Sequence, residues 1–130
     1  MSREIVIHSL AEARAVLDAA AAMNLPVTLA SAPGAALQAG PLWFKSVIDQ
    51  ASAAQPGVAL TAILDCGAAP GAVMAGLRAG LTHFRFSGRA ELRDKLAAMG
   101  AEFVAPSGEA LDFREKREPE TAIRAFLAQR

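Results

Sequence analysis

Val58-Ala-Leu-Thr-Ala-Ile-Leu-Asp65-Cys-Gly-Ala-Ala-Pro-Gly71 decides the reading of the fold. Its first part is an uncharged apolar run with branched residues, bounded by Pro56-Gly57 before it and by Gly67 and Pro70-Gly71 after it. That pattern predicts a strand buried on both faces, which belongs in a parallel sheet with helices above and below. The carboxyl ends of such strands form the ligand crevice of open α/β folds, and Asp65 stands at this one.

Working outward, apolar runs and helical periodicities alternate along the whole chain. Ile5-Val6-Ile7 reads as a first strand, and Ser9-Leu10-Ala11-Glu12 has the form of a capping box. Leu10, Ala13, Val16, Leu17 and Ala20 then follow helical spacing, so the first helix is predicted over Leu10 to Met23, stopped by Asn24-Leu25-Pro26. Val27 to Ala30 supplies a second buried strand, broken by Ser31-Ala32-Pro33-Gly34. For Ala35 to Gly40 a short helical turn and a loop are both open. Pro41 starts a helix predicted to end near Ala54, with Leu42, Phe44, Val47, Ile48 and Ala51 as its apolar stripe.

After the quoted run, Gly71 to Ala79 reads as a short helix closed by Gly80. Thr82-His83-Phe84-Arg85-Phe86 alternates strictly, which predicts a strand with its phenylalanines on the core face and His83 and Arg85 on a face without ordinary helix cover. A helix over Arg89 to Met99, a fifth strand at Glu102 to Ala105 and a last helix after Pro119 complete the chain. Leu111 to Arg114 is open between a sixth edge strand and a solvated turn.

These elements predict one domain spanning residues 1–130. Its class is α/β: a three-layer α/β/α arrangement, flavodoxin-like or Rossmann-like, with a mostly parallel five-stranded sheet. The central strand is expected to bury Leu60, Ala62, Ile63 and Leu64 heavily. The alternative is a fragment of a β/α barrel, which has the same alternation but a curled sheet. Strand order and curvature separate the two.

Composition limits the function. Thirteen basic and thirteen acidic residues among 130 leave no net charge, which argues against nucleic-acid and anionic-membrane partners. No apolar stretch is long enough for a membrane span, and Met1-Ser2-Arg3-Glu4 runs into the first strand without a signal-peptide core, so a cytoplasmic location is expected. The single Cys66 has no cysteine partner within the chain. Neither a Gly-rich nucleotide fingerprint nor histidines at zinc-ligand spacing occur, so no cofactor and no metal are expected.

Small-residue turns follow four strands: Ser31-Ala32-Pro33-Gly34, Asp65-Cys66-Gly67, Ser87-Gly88-Arg89 and Pro106-Ser107-Gly108. Parallel topology gathers them at one edge, where tight turning and close backbone approach to a ligand are both served by Gly and Ser. The helix starting at Arg89 directs its free amides towards this edge, a setting suited to an anion. Candidate ligand-binding residues are therefore Asp65, Cys66, Ser31, Ser87, Arg89 and, at the end of the first strand, His8. Three roles are open to Asp65: metal ligand, base, or cap of its own turn. Cys66 reads as a buried small apolar residue unless His8, His83 or a helix terminus activates it. Trp43-Phe44 reads as core packing, with a lid over the crevice as the other role.

With Asp65 and Ser87 at successive strand ends, the chain resembles a degenerate response-regulator receiver domain. The resemblance implies a phosphate-accepting aspartate at Asp65 and a hydroxyl residue at Ser87. The lysine that ends the fifth strand in that family is absent, although Pro106 is kept after Val104-Ala105, and Ile7-His8-Ser9 replaces the acidic pair that holds magnesium. Leu64 to Gly71 together with Ala75-Gly76-Leu77-Arg78-Ala79-Gly80 also resembles short uncharacterised bacterial α/β proteins. A non-catalytic binding or regulatory module is the expected function, self-associating as a homodimer through the face that carries His83 and Arg85. The second reading is a small enzyme or binder of a small-molecule or anionic ligand around Asp65.

Overall fold

A computed structural model describes residues 3–106 and 108–129 of the chain. The strands are β1 (Glu4–Ile7), β2 (Val27–Ser31), β3 (Leu60–Asp65), β4 (His83–Arg85), β5 (Glu102–Phe103) and β6 (Leu111–Asp112). Between and after them lie helices α1 (Leu10–Met23), α2 (Ala35–Gln38), α3 (Pro41–Ala54), α4 (Pro70–Ala79), α5 (Ala90–Ala98) and α6 (Pro119–Leu127). The expected class holds: α/β, with one parallel sheet flanked by helices. The sheet has six strands rather than five, because Leu111–Asp112 pairs with Ile5 and Val6 of β1.

Local chemistry sets the element ends. Ser9 Oγ accepts a hydrogen bond from the Glu12 amide, and the Glu12 carboxylate reaches back to the amide of His8, one residue before the cap. Asn24 ends α1 in the left-handed conformation, its amide donating to the Ala20 and Ala21 carbonyls. Ala35–Gln38, open in the sequence, is a single helical turn.

The order of strands is β5-β4-β3-β2-β1-β6. β1 to β5 thus lie side by side in chain order, whereas doubly wound sheets reverse their order at an internal switch point. Right-handed crossovers that all step in one direction place their helices on one face. The contacts agree: α6 packs on α1, α1 on α3, α3 on α4 and α4 on α5. The core joins this row to Ile5, Ile7, Leu29, Leu64 and Phe84, which point to the same side of the sheet. Close approach matters here; a Cβ at Gly76 of α4 would lie 2.4 Å from the Phe84 ring.

The opposite face carries Glu4, Thr28, Thr61, Ile63, His83 and Arg85. Its covering layer is the connection from β5 to β6, whose Ala105 carbonyl accepts from Arg85 Nη2 at 3.3 Å and whose Glu109 pairs with Arg3 at 2.9 Å. Ser107, part of one predicted strand-end turn, lies outside the described residues, as do Met1 and Ser2.

This face is concave. Arg85 makes a two-pronged ion pair with Glu4, with Nη1 donating to Oε2 at 2.6 Å and Nη2 to Oε1. Glu4 is in register with Thr28 and Thr28 with Thr61, while Arg85 is in register with Asp65, four residues further along β3. In a flat sheet the two residues would be separated by about 14 Å across three strand spacings and about 13 Å along the strands. The pair forms because the sheet is twisted and coiled, which draws this diagonal of the face together while the sheet stays open between β5 and β6.

Curling also corrects the expected burial. Leu60 and Ala62 of β3 are half-buried, while Ile63 and Leu64 are fully covered. The strand covered along its whole length is β2, which has neighbours on both sides and lies near the middle of the curl.

Removing one partner of a buried pair strands the other charge. Glu4→Leu alone is expected to destabilise the protein by about 3–5 kcal/mol, and adding Arg85→Met should recover most of the loss, as read from urea unfolding midpoints.

Candidate functional site

At the carboxyl edge of the sheet the structure brings Asp65 and Ser31 together. Ser31 Oγ accepts from the Asp65 amide at 2.9 Å and donates to the Ala32 carbonyl at 3.4 Å. Asp65 Oδ1 accepts from the amides of Gly34 and Gly67, both at 3.0 Å. Gly34 and Gly67 are in the left-handed region, with φ of 69° and 55°, where a side chain would be strained. Asp65 therefore caps its own turn and ties it to the turn after β2, so that one carboxylate oxygen holds two loops in place.

Ser87 joins this edge through its backbone, its amide donating to the Gly67 carbonyl at 2.8 Å, while its side chain is exposed. Arg89 is an exposed N-cap residue of α5 and makes no side-chain cap. It is Arg93, one turn on, that donates to the Phe86 carbonyl and stacks over Phe103. Phe44 is fully buried, as expected, with Trp43 half-buried beside it.

Cys66 points into the core at 0% exposure, with Sγ 3.8 Å from the Leu64 carbonyl. Burial pushes its thiol up to about 12, and the charge of Asp65 adds to the effect. A thiol so protonated is not a nucleophile at neutral pH.

His8 turns away from Asp65 towards β6. Its Nε2 lies 2.8 Å from Asp112 Oδ1, which also accepts from the Arg114 amide. Arg114 in turn donates to Glu12 Oε2 at 2.9 Å. This cluster pins the two-residue β6 against β1 and α1. Among the described residues no group of three or more His, Cys, Asp or Glu side chains is arranged to hold a metal ion.

The feature that the sequence reading missed is a cleft of about 680 Å³ on the concave face. Glu4, Thr28, Thr61, Ile63 and His83 form its sheet side, and Val104 and Ala105 of the β5–β6 connection face them. Leu25, Pro26 and Phe126 supply apolar wall at the amino end of the strands. Glu4, Thr28 and Thr61 sit in register across three adjacent strands, giving one continuous row of hydrogen-bonding groups. The signal was present in Val27-Thr-Leu-Ala-Ser31 and Leu60-Thr-Ala-Ile-Leu64. A polar residue at matching parity in two adjacent apolar strands marks a face that no helix covers. His83 spans the rim, with Nδ1 at 2.9 Å from Thr82 Oγ1 and Nε2 at 3.1 Å from Glu102.

Comparison with protein-family models and with curated proteins gives no match to this chain.

The folded state holds the Cys66 proton more tightly than the unfolded state does. The thiol's contribution to stability is therefore complete below its ordinary value of 9.0 and is lost as pH rises towards about 12. Cys66→Ala should flatten that part of the stability profile in urea titrations. Iodoacetamide at pH 8 should label the wild-type thiol only after unfolding, and rapid labelling of the native protein would contradict the inert assignment.

Proposed function

We propose that the protein is a non-catalytic binding module whose small-molecule ligand occupies the cleft on the concave sheet face. The observation that carries this reading is the in-register row Glu4–Thr28–Thr61 inside a cleft of about 680 Å³. Ligand sites are typically about 300–1,000 Å³, mostly apolar, with a few convergent polar groups. The alternative site at the carboxyl edge has less to offer, since Asp65 Oδ1 and the amides of Gly34 and Gly67 are engaged with one another. The core position of Cys66 and the engagement of His8 with Asp112 support a binding role over a catalytic one. No helix among the described residues is long and apolar enough to cross a membrane, and the free Cys66 is compatible with a reducing cytoplasm.

Thr61 is half-buried and projects into the cleft, so Thr61→Trp fills the space with little demand on the core. A library of uncharged and charged metabolites screened against the wild type by amide chemical-shift mapping is expected to give hits at Glu4, Thr28 and Thr61. Thr61→Trp should abolish them while keeping the wild-type circular dichroism spectrum. Hits confined to Asp65 and Ser87 would transfer the site to the carboxyl edge.

Homodimerisation is the second reading, favoured by Leu42 at 75% and Leu37 at 63% exposure beside half-buried Trp43. Arg85 faces the concave interior and pairs with Glu4, so the contact is assigned to the Leu37–Trp43 region rather than to the Arg85 face. Light scattering is expected to show a dimer for the wild type and a monomer for the Leu37→Lys, Leu42→Lys double variant. A monomeric wild type at millimolar concentration would end this reading.

A further inference from the structure

We infer that the ligand of the concave cleft is an uncharged, polyhydroxylated ring, the chemistry shared by free monosaccharides and cyclitols. This inference rests on the binding reading above and adds the ligand class. Charge comes first. Arg3 at the cleft is paired with Glu109 at 2.9 Å, and Arg85, behind the lining residue Glu4, is held by both of its oxygens. His83 lies between Thr82 and Glu102. An anionic ligand would have to break a paired cation away from its carboxylate, and a cationic ligand would have to do the reverse. For Glu4 and Arg85 the exchange sacrifices a desolvated pair, and for Arg3–Glu109 and His83–Glu102, whose carboxylates are exposed, it replaces one solvated pair by another with little net gain. An uncharged ligand leaves all of these pairs intact.

Hydrogen-bonding capacity comes second. Each Glu4 oxygen accepts one bond from Arg85 and keeps a second lone pair. Thr61 makes no side-chain hydrogen bond among the described residues, and its hydroxyl both donates and accepts. Glu4 and Thr61 thus offer several acceptors beside one donor, which calls for a ligand that brings O–H donors along one edge. Shape comes third. The rest of the lining mixes apolar Leu25, Pro26, Val104, Ala105 and Phe126 with Arg3, Glu109 and Gln129, so the ligand presents hydroxyls to the row and both C–H surface and further hydroxyls elsewhere. A six-membered ring bearing hydroxyl groups has both.

The test uses the full-length ¹⁵N-labelled chain and amide chemical-shift titration with D-glucose and myo-inositol as uncharged probes, and D-glucuronate and D-glucosamine as charged counterparts. Glucose or inositol is expected to shift Glu4, Thr28 and Thr61, and the difference between these two separates sugar from cyclitol. Both charged probes should bind about tenfold more weakly or worse, because their charge must be desolvated beside groups already paired. Thr61→Val, which keeps the shape and loses the hydroxyl, should weaken the uncharged probe about tenfold with the thermal midpoint close to wild type. A charged probe that binds the cleft as tightly as its uncharged counterpart overturns the ligand class and leaves the binding reading standing. If no probe shifts the cleft residues and the wider metabolite screen also misses them, the inference and that reading both fall.

Discussion

One ion pair bridges the concave face and constrains the shape of the sheet. Glu4 and Arg85 belong to β1 and β4, and their two hydrogen bonds are incompatible with a flat sheet. A pair this deeply covered, with side-chain exposures of 8% and 13%, carries a desolvation cost that good geometry has to offset. The hydrogen bonds to Glu4 hold the guanidinium protonated even more firmly than usual, against the opposing effect of burial. One cost persists: among the described residues Arg85 Nε has no hydrogen-bond partner. The same arginine anchors the β5–β6 connection through Ala105, so the curl and the layer that closes over it share one side chain.

Curling the sheet makes its two faces unequal. On the convex side the five longer helices form a continuous row, and their contacts depend on small residues. Ala13, Ala19 and Ala20 are the buried alanines of α1, and Gly76 brings α4 within ring contact of Phe84. Small residues let helices come close to a strongly twisted surface, where bulky ones would overpack. The concave side is lined instead by Val104, Ala105 and Glu109 from between β5 and β6 and by the end of α6. Polar side chains can then occupy the middle of the sheet without being sealed in a dry core.

Most of this was legible in the sequence where local rules operate. The bounds of α1 and α3 follow from Ser9, Asn24 and Pro41, residues that act within a turn of their own position. The Phe84 and Phe86 side of β4 follows from strict alternation, and both rings are buried as expected. Strand order was not legible, because the Val58–Asp65 run is equally apolar whether its neighbour is β2 or β1. Reading that run as the strand covered on both faces gave β3 the place that β2 holds. The cleft escaped for the same reason. Thr28 and Thr61 are 33 positions apart in the chain, and only pairing in register makes them neighbours of Glu4.

The candidate edge around Asp65 shows why a strand-end carboxylate is an ambiguous signal. Sharp turns after β2 and β3 require left-handed glycines, and the amides of those glycines point inwards with no strand to receive them. A carboxylate at the end of the intervening strand satisfies both at once, and Ser31 returns the favour to the Asp65 amide. Residues that suit a crevice are thus the residues that a tightly turned parallel edge needs for itself. Two turns of the pleat below, Glu4, Thr28 and Thr61 form an in-register row along the cleft, with both oxygens of Glu4 held by Arg85 and apolar side chains at the amino end of the strands.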